Sequence, residues 1–505
     1  MHTNRWFVFA ALSAPLLAAA SAATGCGSTS ESSQGAGADG GTDGSGGTSG
    51  NEGGLGSSRS DAGPDATSGG TSDDAASGDD GGRATVEAGP GLVTVLVATV
   101  TGPEEGIQVV FHNPDGSVLA TGTTDSTGQA SHQVPVDAMV TAAFGAALSS
   151  SLVTVTGVSG GDVIHLLDTA TPMPAQQKVN LTYPPSNPAG TTYYFLSSPC
   201  TSGAFILSLE RDPLECAVDG PFPVLLLALS GAFDNPGQRL GFQYAKGISL
   251  PEDGGASALA FTGTWQPTGT LHVSLSNVPS PVGSLLVTYT EEANGFPFSF
   301  QQGASSDTAP TVDAGTMSTW TYDTDPGFPD YTQTEVMTTD VAVENPVGPT
   351  ATSYALLATR SNAAPTIQSF DLSKRLAAIS GAQVDTMGSQ TSVVSWTPAA
   401  SLGSADGTYV HVAYGTYSWT VVVPPGAAQI ALPSLPSSLA AWAPAPGAKF
   451  HLIDVATVDV STVEAYAELR QAGTAFMASP CAECGGVAPM LPEGAAYTLT
   501  GYWSE

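Results

Sequence analysis

The chain has 505 residues and carries 45 Asp or Glu against 12 Lys or Arg, which gives a formal net charge of −33. A protein that holds a phosphate backbone or anionic headgroups by charge needs clustered cations. The cations of this chain are scattered, and only Lys374 and Arg375 are adjacent. The composition therefore excludes nucleic acid as a partner.

Glycine and proline are frequent, with 59 and 37 copies, and hydrophobic residues make up 41% of the chain. This composition supplies a core but few of the Lys, Arg and Glu residues that favour long surface helices. Short runs rich in Val, Thr and Tyr recur with turn signals between them, which is typical of strands. The sequence predicts an all-β fold, with several β-sandwich domains of the Ig-like or prealbumin-like kind after a disordered linker.

Residues 1–25 are typical of a secretory signal peptide, because a polar start with Arg5 is followed by a long apolar run. Small residues then precede Cys26, and this stretch resembles the lipobox of bacterial lipoproteins, with Ala23 where leucine is usual. The resemblance implies a lipid on Cys26, which would make a membrane the partner of the mature N-terminus. The alternative is ordinary secretion with cleavage after Ala22.

The location of the anchored chain is implied by the same resemblance. Gly27, rather than Asp, follows the cysteine, which by resemblance to lipoprotein sorting favours the outer membrane or the cell surface. A second membrane segment is not predicted, because crossing a bilayer takes about 20 apolar residues. The most apolar later run, 222–229, is shorter and is predicted to be a buried strand.

A linker is predicted over residues 26–90. Between Gly27 and Pro90 there are 19 glycines and 11 acidic residues, and large aliphatic side chains are limited to Leu55 and Val86. Such a stretch cannot bury enough apolar surface to offset the entropy of ordering it, so we expect disorder. As a flexible coil it would span roughly 40–50 Å and act as a tether.

The first folded domain is predicted over residues 91–172, where strand-like runs recur about every ten residues, as in a β-sandwich. Turns are predicted at 114–116 and 125–128, where Asp and Gly stand in turn positions. The region 106–130 resembles the carboxypeptidase regulatory-like family, a prealbumin-like β-sandwich. The residues that carry the resemblance are Gly106, Val109, Asp115, Gly116, Thr124, Asp125 and Gly128. It implies an accessory module for stability or attachment, without a protease active site.

Two further regions are predicted after this domain. Residues 173–305 form a β-rich domain, and residues 306–505 form a β-rich region of one or two sandwiches, with boundaries at Pro- and Gly-rich joints. A shared Trp-x-Pro tripeptide at Trp265 and Trp396 is too short to establish a repeat. The one helix candidate begins at 461–464, a capping-box pattern.

The cysteines other than Cys26 are even in number, which in an exported chain predicts two disulfides. They are Cys200, Cys216, Cys481 and Cys484. Three connectivities are possible, and local pairing within 200–216 and within 481–484 is preferred. A four-thiolate zinc site and a redox pair at 481–484 are the alternatives. The zinc site is disfavoured because two CxxC pairs are expected and the chain has one. The redox pair is disfavoured because no helix is predicted after it.

The best surface candidate for ligand binding is the stretch 320–331, in which aromatic and acidic residues alternate on a Pro/Gly loop. The candidate residues are Trp320, Tyr322, Asp323, Asp325 and Tyr331. The rings could stack on a sugar while the carboxylates bind hydroxyls or calcium. In the alternative and favoured interpretation, the aromatic residues pack onto their own domain.

Catalytic signatures are weak. Ser159 has nucleophile-elbow spacing, but strands precede and follow it, so a hairpin is predicted. No metal site and no cofactor are predicted. The sequence predicts a non-enzymatic, lipid-anchored envelope or cell-surface protein with binding or structural β-sandwich modules and an unknown protein or glycan ligand. The alternatives are a secreted hydrolase with accessory β domains and a carbohydrate- or calcium-binding adhesin.

Overall fold

Strands make up most of the folded chain, and helices contribute little. The computed structural model describes residues 89–504, apart from short gaps and longer ones at 168–176, 207–213, 250–256, 306–317, 340–351, 386–391 and 478–488. In this part there are 29 strands, one α-helix and two 3₁₀ helices. The predicted all-β fold is confirmed. The predicted signal peptide and nearly all of the predicted linker lie outside the described residues.

The first eight strands form a two-layer β-sandwich. They are β1 (Gly91–Thr99), β2 (Gly102–Pro103), β3 (Gln108–His112), β4 (Val118–Thr123), β5 (Gln129–Val134), β6 (Ala138–Gly145), β7 (Ser150–Val158) and β8 (Val163–Leu167). One layer places β1 beside β2, β5 and β8, and the other has the order β7-β6-β3-β4. Val95 and Phe111, one from each layer, share a core and are at most 1% exposed. Two layers that share a core in this way are the architecture of a β-sandwich.

Two turns of this sandwich form as their side chains predict. The Asp115 carboxylate accepts hydrogen bonds from the backbone N–H and the hydroxyl of Ser117, at 2.9 and 2.6 Å. Asp125 closes the next turn by accepting the backbone N–H two residues later at 2.9 Å. Gly116 and Gly128 take φ values of +79° and +73°, which side chains other than glycine rarely adopt.

The next seven strands form two smaller sheets, β11-β10-β13-β14 and β12-β9-β15. Their bounds are β9 (Gln177–Thr182), β10 (Tyr193–Ser198), β11 (Thr201–Ile206), β12 (Leu214–Cys216), β13 (Phe222–Ala232), β14 (Asn235–Ile248) and β15 (Ser257–Ala260). The apolar run 222–229 is a buried strand, as predicted. Val224 and Leu226 enter one core, and Leu225 and Leu227 enter another. Both faces of β13 are therefore buried, which explains why polar and apolar residues do not alternate in this run.

Fourteen strands follow. They are β16 (Gly269–Ser276), β17 (Ser284–Ala293), β18 (Phe296–Ser305), β19 (Ser318–Thr324), β20 (Tyr331–Thr339), β21 (Thr352–Ser361), β22 (Ile367–Asp371), β23 (Ile379–Asp385), β24 (Val393–Pro398), β25 (Gly407–Tyr414), β26 (Tyr417–Val423), β27 (Gln429–Ala431), β28 (Phe450–Val460) and β29 (Ala496–Ser504). Two three-stranded sheets, β19-β16-β22 and β23-β24-β27, are built from them. The helices are α1 (Tyr466–Gln471) and two 3₁₀ helices at Leu372–Lys374 and Ser437–Trp442. Among the described residues, no helix has the length and apolar character needed to cross a membrane.

A twelve-stranded sheet, here called the central sheet, joins strands from all three predicted folded regions. Its order is β18-β17-β20-β21-β29-β28-β25-β26-β7-β6-β3-β4. Neighbouring strands are antiparallel except β26 and β7, which run parallel. The last strand, β29, pairs with β21 on one side and β28 on the other. The molecule is therefore organised by pairing between strands that are far apart in the sequence.

This pairing differs from the predicted division at residues 172 and 305. The β7–β26 pair links the region 91–172 to the region 306–505, with Leu152 opposite Trp419. The β17–β20 pair links 173–305 to 306–505. Pro- and Gly-rich joints mark where the chain leaves a strand, but they carry no information about which distant strand pairs with it.

Both faces of the central sheet are covered at its inner strands, whereas β4 at one edge is largely exposed. Leu152 of β7 enters a core with Val394 and Trp396 of β24, whereas the next residue, Val153, enters the core of the first sandwich. Polar groups between these layers are paired with each other. The Thr154 hydroxyl accepts the indole N–H of Trp419 at 2.8 Å and lies 2.8 Å from the Thr141 hydroxyl. Thr141, Thr154 and Trp419 thus supply hydrogen-bond partners to one another inside the sheet.

Helix α1 begins later than the sequence predicts. Its N-cap is Ala465, and no side chain caps the first turn. The Ser461 hydroxyl instead accepts the backbone N–H of Ala496 at 2.9 Å, at the start of β29. The predicted capping role of Ser461 is therefore wrong, because the neighbouring strand takes the acceptor.

One glycine of β29 is required by a ring on the next strand. Tyr354 of β21 lies opposite Gly501, and its ring crosses the strand to donate a hydrogen bond to Asp454 Oδ1 of β28 at 2.9 Å. A Cβ atom at position 501 would overlap this ring. Asp454 is 2% exposed, and burial raises its pKa from the ordinary value of 3.8 to about 7.

Replacing Gly501 with alanine should destabilise the central sheet, because the methyl group displaces the Tyr354 ring from Asp454. We expect a loss of about 1–3 kcal/mol in the free energy of unfolding, measured by chemical denaturation. Gly381→Ala is the matched control, because no atom lies within 4 Å of its Cβ position. Equal effects of the two variants would contradict this account of Gly501.

Asp454→Asn should reduce the dependence of stability on pH. In the folded protein the Asp454 carboxyl keeps its proton up to about pH 7, whereas in the unfolded chain it ionises near pH 4. Stability is therefore lost as pH rises between these values, by roughly 4 kcal/mol from this group. The melting temperature of Asp454→Asn should fall less from pH 4 to pH 7 than that of the unchanged chain or of Asp385→Asn, an exposed control. Parallel melting curves for the three proteins would rule out this role.

Candidate functional site

The predicted ligand-binding stretch 320–331 is a strand followed by a tight turn. Tyr322 of β19 is 2% exposed and donates a hydrogen bond to the Val287 carbonyl at 2.8 Å. Trp320 is partly buried against the same core, and Asp323 lies on the opposite face of the strand. The rings therefore face the core while this carboxylate faces away. This is the packing that the alternative interpretation describes.

Asp325 is fully buried at the end of β19, where it joins an ionic cluster. Its Oδ2 atom lies 3.1 Å from an Arg239 guanidinium nitrogen of β14. Its backbone N–H donates to Glu291 Oε1 at 2.9 Å, and the Tyr289 hydroxyl donates to the same oxygen at 3.0 Å. Four side chains from three sheets meet here, so this cluster connects the sheets β11-β10-β13-β14 and β19-β16-β22 to the central sheet.

The two buried carboxyls of the cluster differ in protonation. Burial and the neighbouring Asp325 carboxylate raise the pKa of Glu291 well above its ordinary value. Burial also raises the pKa of Asp325, but the Arg239 guanidinium opposes this rise. Two adjacent carboxyls in a dry site do not both ionise at moderate cost. We therefore assign the proton to Glu291 and the charge of the ion pair to Asp325.

Ion pairs also cover the end of this stretch. Lys246 Nζ lies 2.7 Å from Asp330 Oδ1 at the surface. Tyr331 is partly buried, and the Arg360 guanidinium lies 4.2 Å from its ring centroid while pairing with Glu292 at 2.5 Å. The ring that was a stacking candidate thus already contacts a cation of its own chain.

The remaining predicted site residues fall elsewhere. Cys26, Cys200, Cys481 and Cys484 lie outside the described residues, and of Cys216 only the backbone in β12 is described, so the lipid and the disulfides stay predictions. Ser159 is 6% exposed in the turn between β7 and β8. Among the described residues, no three His, Cys, Asp or Glu side chains are placed to hold a metal ion.

The structure contains an open groove that the sequence analysis did not find, here called the Trp265 groove. Its volume is about 530 Å³. It is lined by Pro185, Ser186, Asn187, Pro188, Leu240, Thr262, Gly263, Thr264, Trp265, Gln266 and Pro267. None of these residues is charged, although the chain carries a net charge of −33. Two polar loops separated by more than 70 residues make this surface, so no local motif indicates it.

The Trp265 side chain is fixed in this groove from two directions. Its indole N–H donates to the Ser186 carbonyl at 2.7 Å, which joins the two loops. Its ring stacks on Tyr194 with centroids 5.8 Å apart, and Tyr194 stacks on Tyr183 at 5.7 Å. A ring held in this way offers a preorganised platform, because its orientation is set before a ligand arrives.

The backbone of the second loop is fixed as well. Phe242 and Gln266 exchange two backbone hydrogen bonds of 3.0 and 2.9 Å, which attach the loop to β14. The Gln266, Thr262 and Thr264 side chains remain exposed beside the indole ring. The groove therefore combines one aromatic surface with amide and hydroxyl groups, which can bind an uncharged polar ligand but cannot exchange protons near neutral pH.

Comparisons with known proteins identify no family. No protein-family model matches the chain, and no curated protein matches it. Among solved structures, the Bacillus anthracis TIE protein is 9% identical, with a TM-score of 0.15, and the match covers 56% of this chain and 50% of that one. This chain therefore spans about half the length of that protein.

Two other solved structures are similar at the same level. Chicken CNTN1 FN1–FN3 domains are 10% identical over 64% of this chain and 90% of theirs, with a TM-score of 0.14. BcpA, the major pilin subunit of Bacillus cereus, is 8% identical over 56% of this chain and 98% of its own, with a TM-score of 0.15. Scores this low do not identify a shared overall arrangement, so no function is drawn from them.

Glu291→Gln and Asp325→Asn should differ in stability, because only Asp325 carries the charge that balances Arg239. We expect Glu291→Gln to stay within about 1 kcal/mol of the unchanged chain, since glutamine keeps an acceptor for Tyr289. Asp325→Asn should lose about 3–5 kcal/mol, because it removes one partner of a buried ion pair. Chemical denaturation at pH 7 checks both values, and the reverse order would overturn our proton assignment.

Proposed function

We propose that this chain is a non-enzymatic, lipid-anchored protein of the outer membrane or cell surface that presents a rigid β body for binding. The observation that carries the binding role is the Trp265 groove, which has a fixed aromatic ring and polar side chains but no titratable group. Acid–base and nucleophilic catalysis need a titratable or activated group at the site. The groove supports binding rather than chemistry.

The buried acidic residues point in the same direction. Asp325, Glu291 and Asp454 are each at most 2% exposed, and each is bonded within its own chain. A raised pKa is a feature of catalytic carboxyls, but such groups must reach a substrate. These carboxyls are closed off by packed sheets, so they support a structural role.

The anchor is inferred from the sequence around Cys26. A lipidated cysteine followed by the Gly- and Asp-rich stretch 27–90 would hold the β body on a solvated tether, roughly 40–50 Å from the membrane. We also infer that residues 91–172 serve as an accessory module of the carboxypeptidase regulatory-like kind. The two-layer sandwich and its turns at Asp115 and Asp125 support this inference.

Cys26→Ala should release the protein from the membrane, because it removes the only atom to which the proposed lipid is attached. The measurement is the share of full-length protein in membrane and soluble fractions, together with the mass of the mature N-terminus. We expect the unchanged chain in the membrane fraction and the variant in the soluble fraction.

Ser28→Ala is the matched control, since it alters a neighbouring small residue and leaves the cysteine in place. It should remain with the membrane. Membrane association of Cys26→Ala at the level of the unchanged chain would overturn the lipid anchor. A free, unmodified Cys26 in the mature protein would do the same.

A further inference from the structure

We propose that the Trp265 groove binds a neutral carbohydrate chain. This inference deepens the proposed binding role and rests on it, but it does not depend on the lipid anchor. The groove volume of about 530 Å³ lies within the range of roughly 300–1,000 Å³ that is usual for ligand sites. The absence of charge in the groove, its aromatic ring and its polar side chains favour this ligand.

The charge of the groove favours an uncharged ligand. An anionic ligand would need Lys or Arg at the site, and a cationic ligand would be matched by Asp or Glu. The lining residues include none of these four types, although Asp and Glu number 45 in the chain. A ligand that gains from this surface therefore carries polar groups without net charge.

The ring of Trp265 provides an apolar contact of defined orientation. Its N–H is already bonded to Ser186 and its ring is stacked on Tyr194, so binding a ligand costs little further ordering. The faces of pyranose rings carry C–H groups that pack on aromatic surfaces. Large, rigid aromatic side chains in clefts are also the residues that contribute most to binding energy.

Polar side chains from both loops surround the Trp265 ring. Gln266 offers an amide donor and an acceptor, and Thr262 and Thr264 offer hydroxyls. The Asn187 Oδ1 atom accepts the Tyr194 hydroxyl, so Asn187 contributes its amide N–H groups. Behind Gly263 lies Gln243, which is 5% exposed and whose Nε2 atom has no hydrogen-bond partner among the described residues. Groups that both donate and accept are suited to sugar hydroxyls, which need both kinds of partner.

A proline-rich peptide fits this groove less well. Grooves that bind such peptides use several aromatic rings in a row, and the peptide has few N–H groups to offer. Trp265 is the one aromatic residue that lines the groove, and the amide and hydroxyl side chains outnumber it. The observations therefore favour the carbohydrate.

The test is native affinity electrophoresis of the full chain in gels that contain one polymer each. The neutral probes are hydroxyethyl cellulose, dextran and galactomannan, and the anionic probe is alginate. We expect at least one neutral polysaccharide to retard the chain and alginate not to do so. Trp265→Ala should weaken the apparent affinity about tenfold or more.

Trp320→Ala is the matched control, because Trp320 is also a partly buried tryptophan and belongs to 320–331, the best surface candidate for ligand binding in the sequence. It should leave retardation unchanged. Gln266→Ala guards against misfolding, since it keeps the backbone bonds to Phe242 and removes only an exposed amide. It should keep the melting temperature and weaken binding about threefold or more.

Four outcomes would overturn the inference: no retardation by any of the three neutral polymers, equal retardation by alginate, unchanged affinity of Trp265→Ala, or competition by a polyproline peptide. These outcomes are separate from failure of the anchor. Cys26→Ala that leaves the membrane but still binds the neutral polymer supports both proposals. If the unchanged chain is membrane-bound but no neutral polymer retards it, the lipid anchor is supported and carbohydrate binding is ruled out.

Discussion

Exclusion of water from both faces of the inner strands of the central sheet is the constraint on which the rest of the structure depends. A polar group buried in such a sheet costs free energy unless another group bonds to it. Thr141, Thr154 and Trp419 bond to each other in this layer, and Asp454 bonds to Tyr354. The same constraint explains a folded chain with so few charged residues, because each buried ion needs a partner, as Arg239 finds in Asp325.

The sequence predicts local structure well and distant pairing poorly. The turns at Asp115 and Asp125 form as predicted, because the side chains that close them lie within a few residues. The apolar run 222–229 is a buried strand for an equally local reason. The pairing of β7 with β26 has no such signal. Alternating apolar residues show that a strand has a buried face but do not specify the strand beside it.

The same limit applies to the sites. A Pro, Gly and Asp-rich segment reads as an exposed loop, but Asp325 is buried because Arg239, 86 residues away, pairs with it. The Trp265 groove was missed for the opposite reason. Its two loops are ordinary polar connections in the sequence, and they become one surface only when the Trp265 indole N–H bonds to the Ser186 carbonyl and Gln266 bonds to Phe242 of β14. A site assembled in this way is visible in structure alone.

The position of β29 inside the central sheet sets the order in which the protein can fold. Its residues 496–504 pair with β21 and β28, so the sheet stays divided until this segment has left the ribosome. Contacts of such high sequence separation form slowly, because the chain between them must first be ordered. Until β29 is in place, the facing edges of β21 and β28 have unpaired N–H and C=O groups, and unpaired edges are where partly folded chains aggregate.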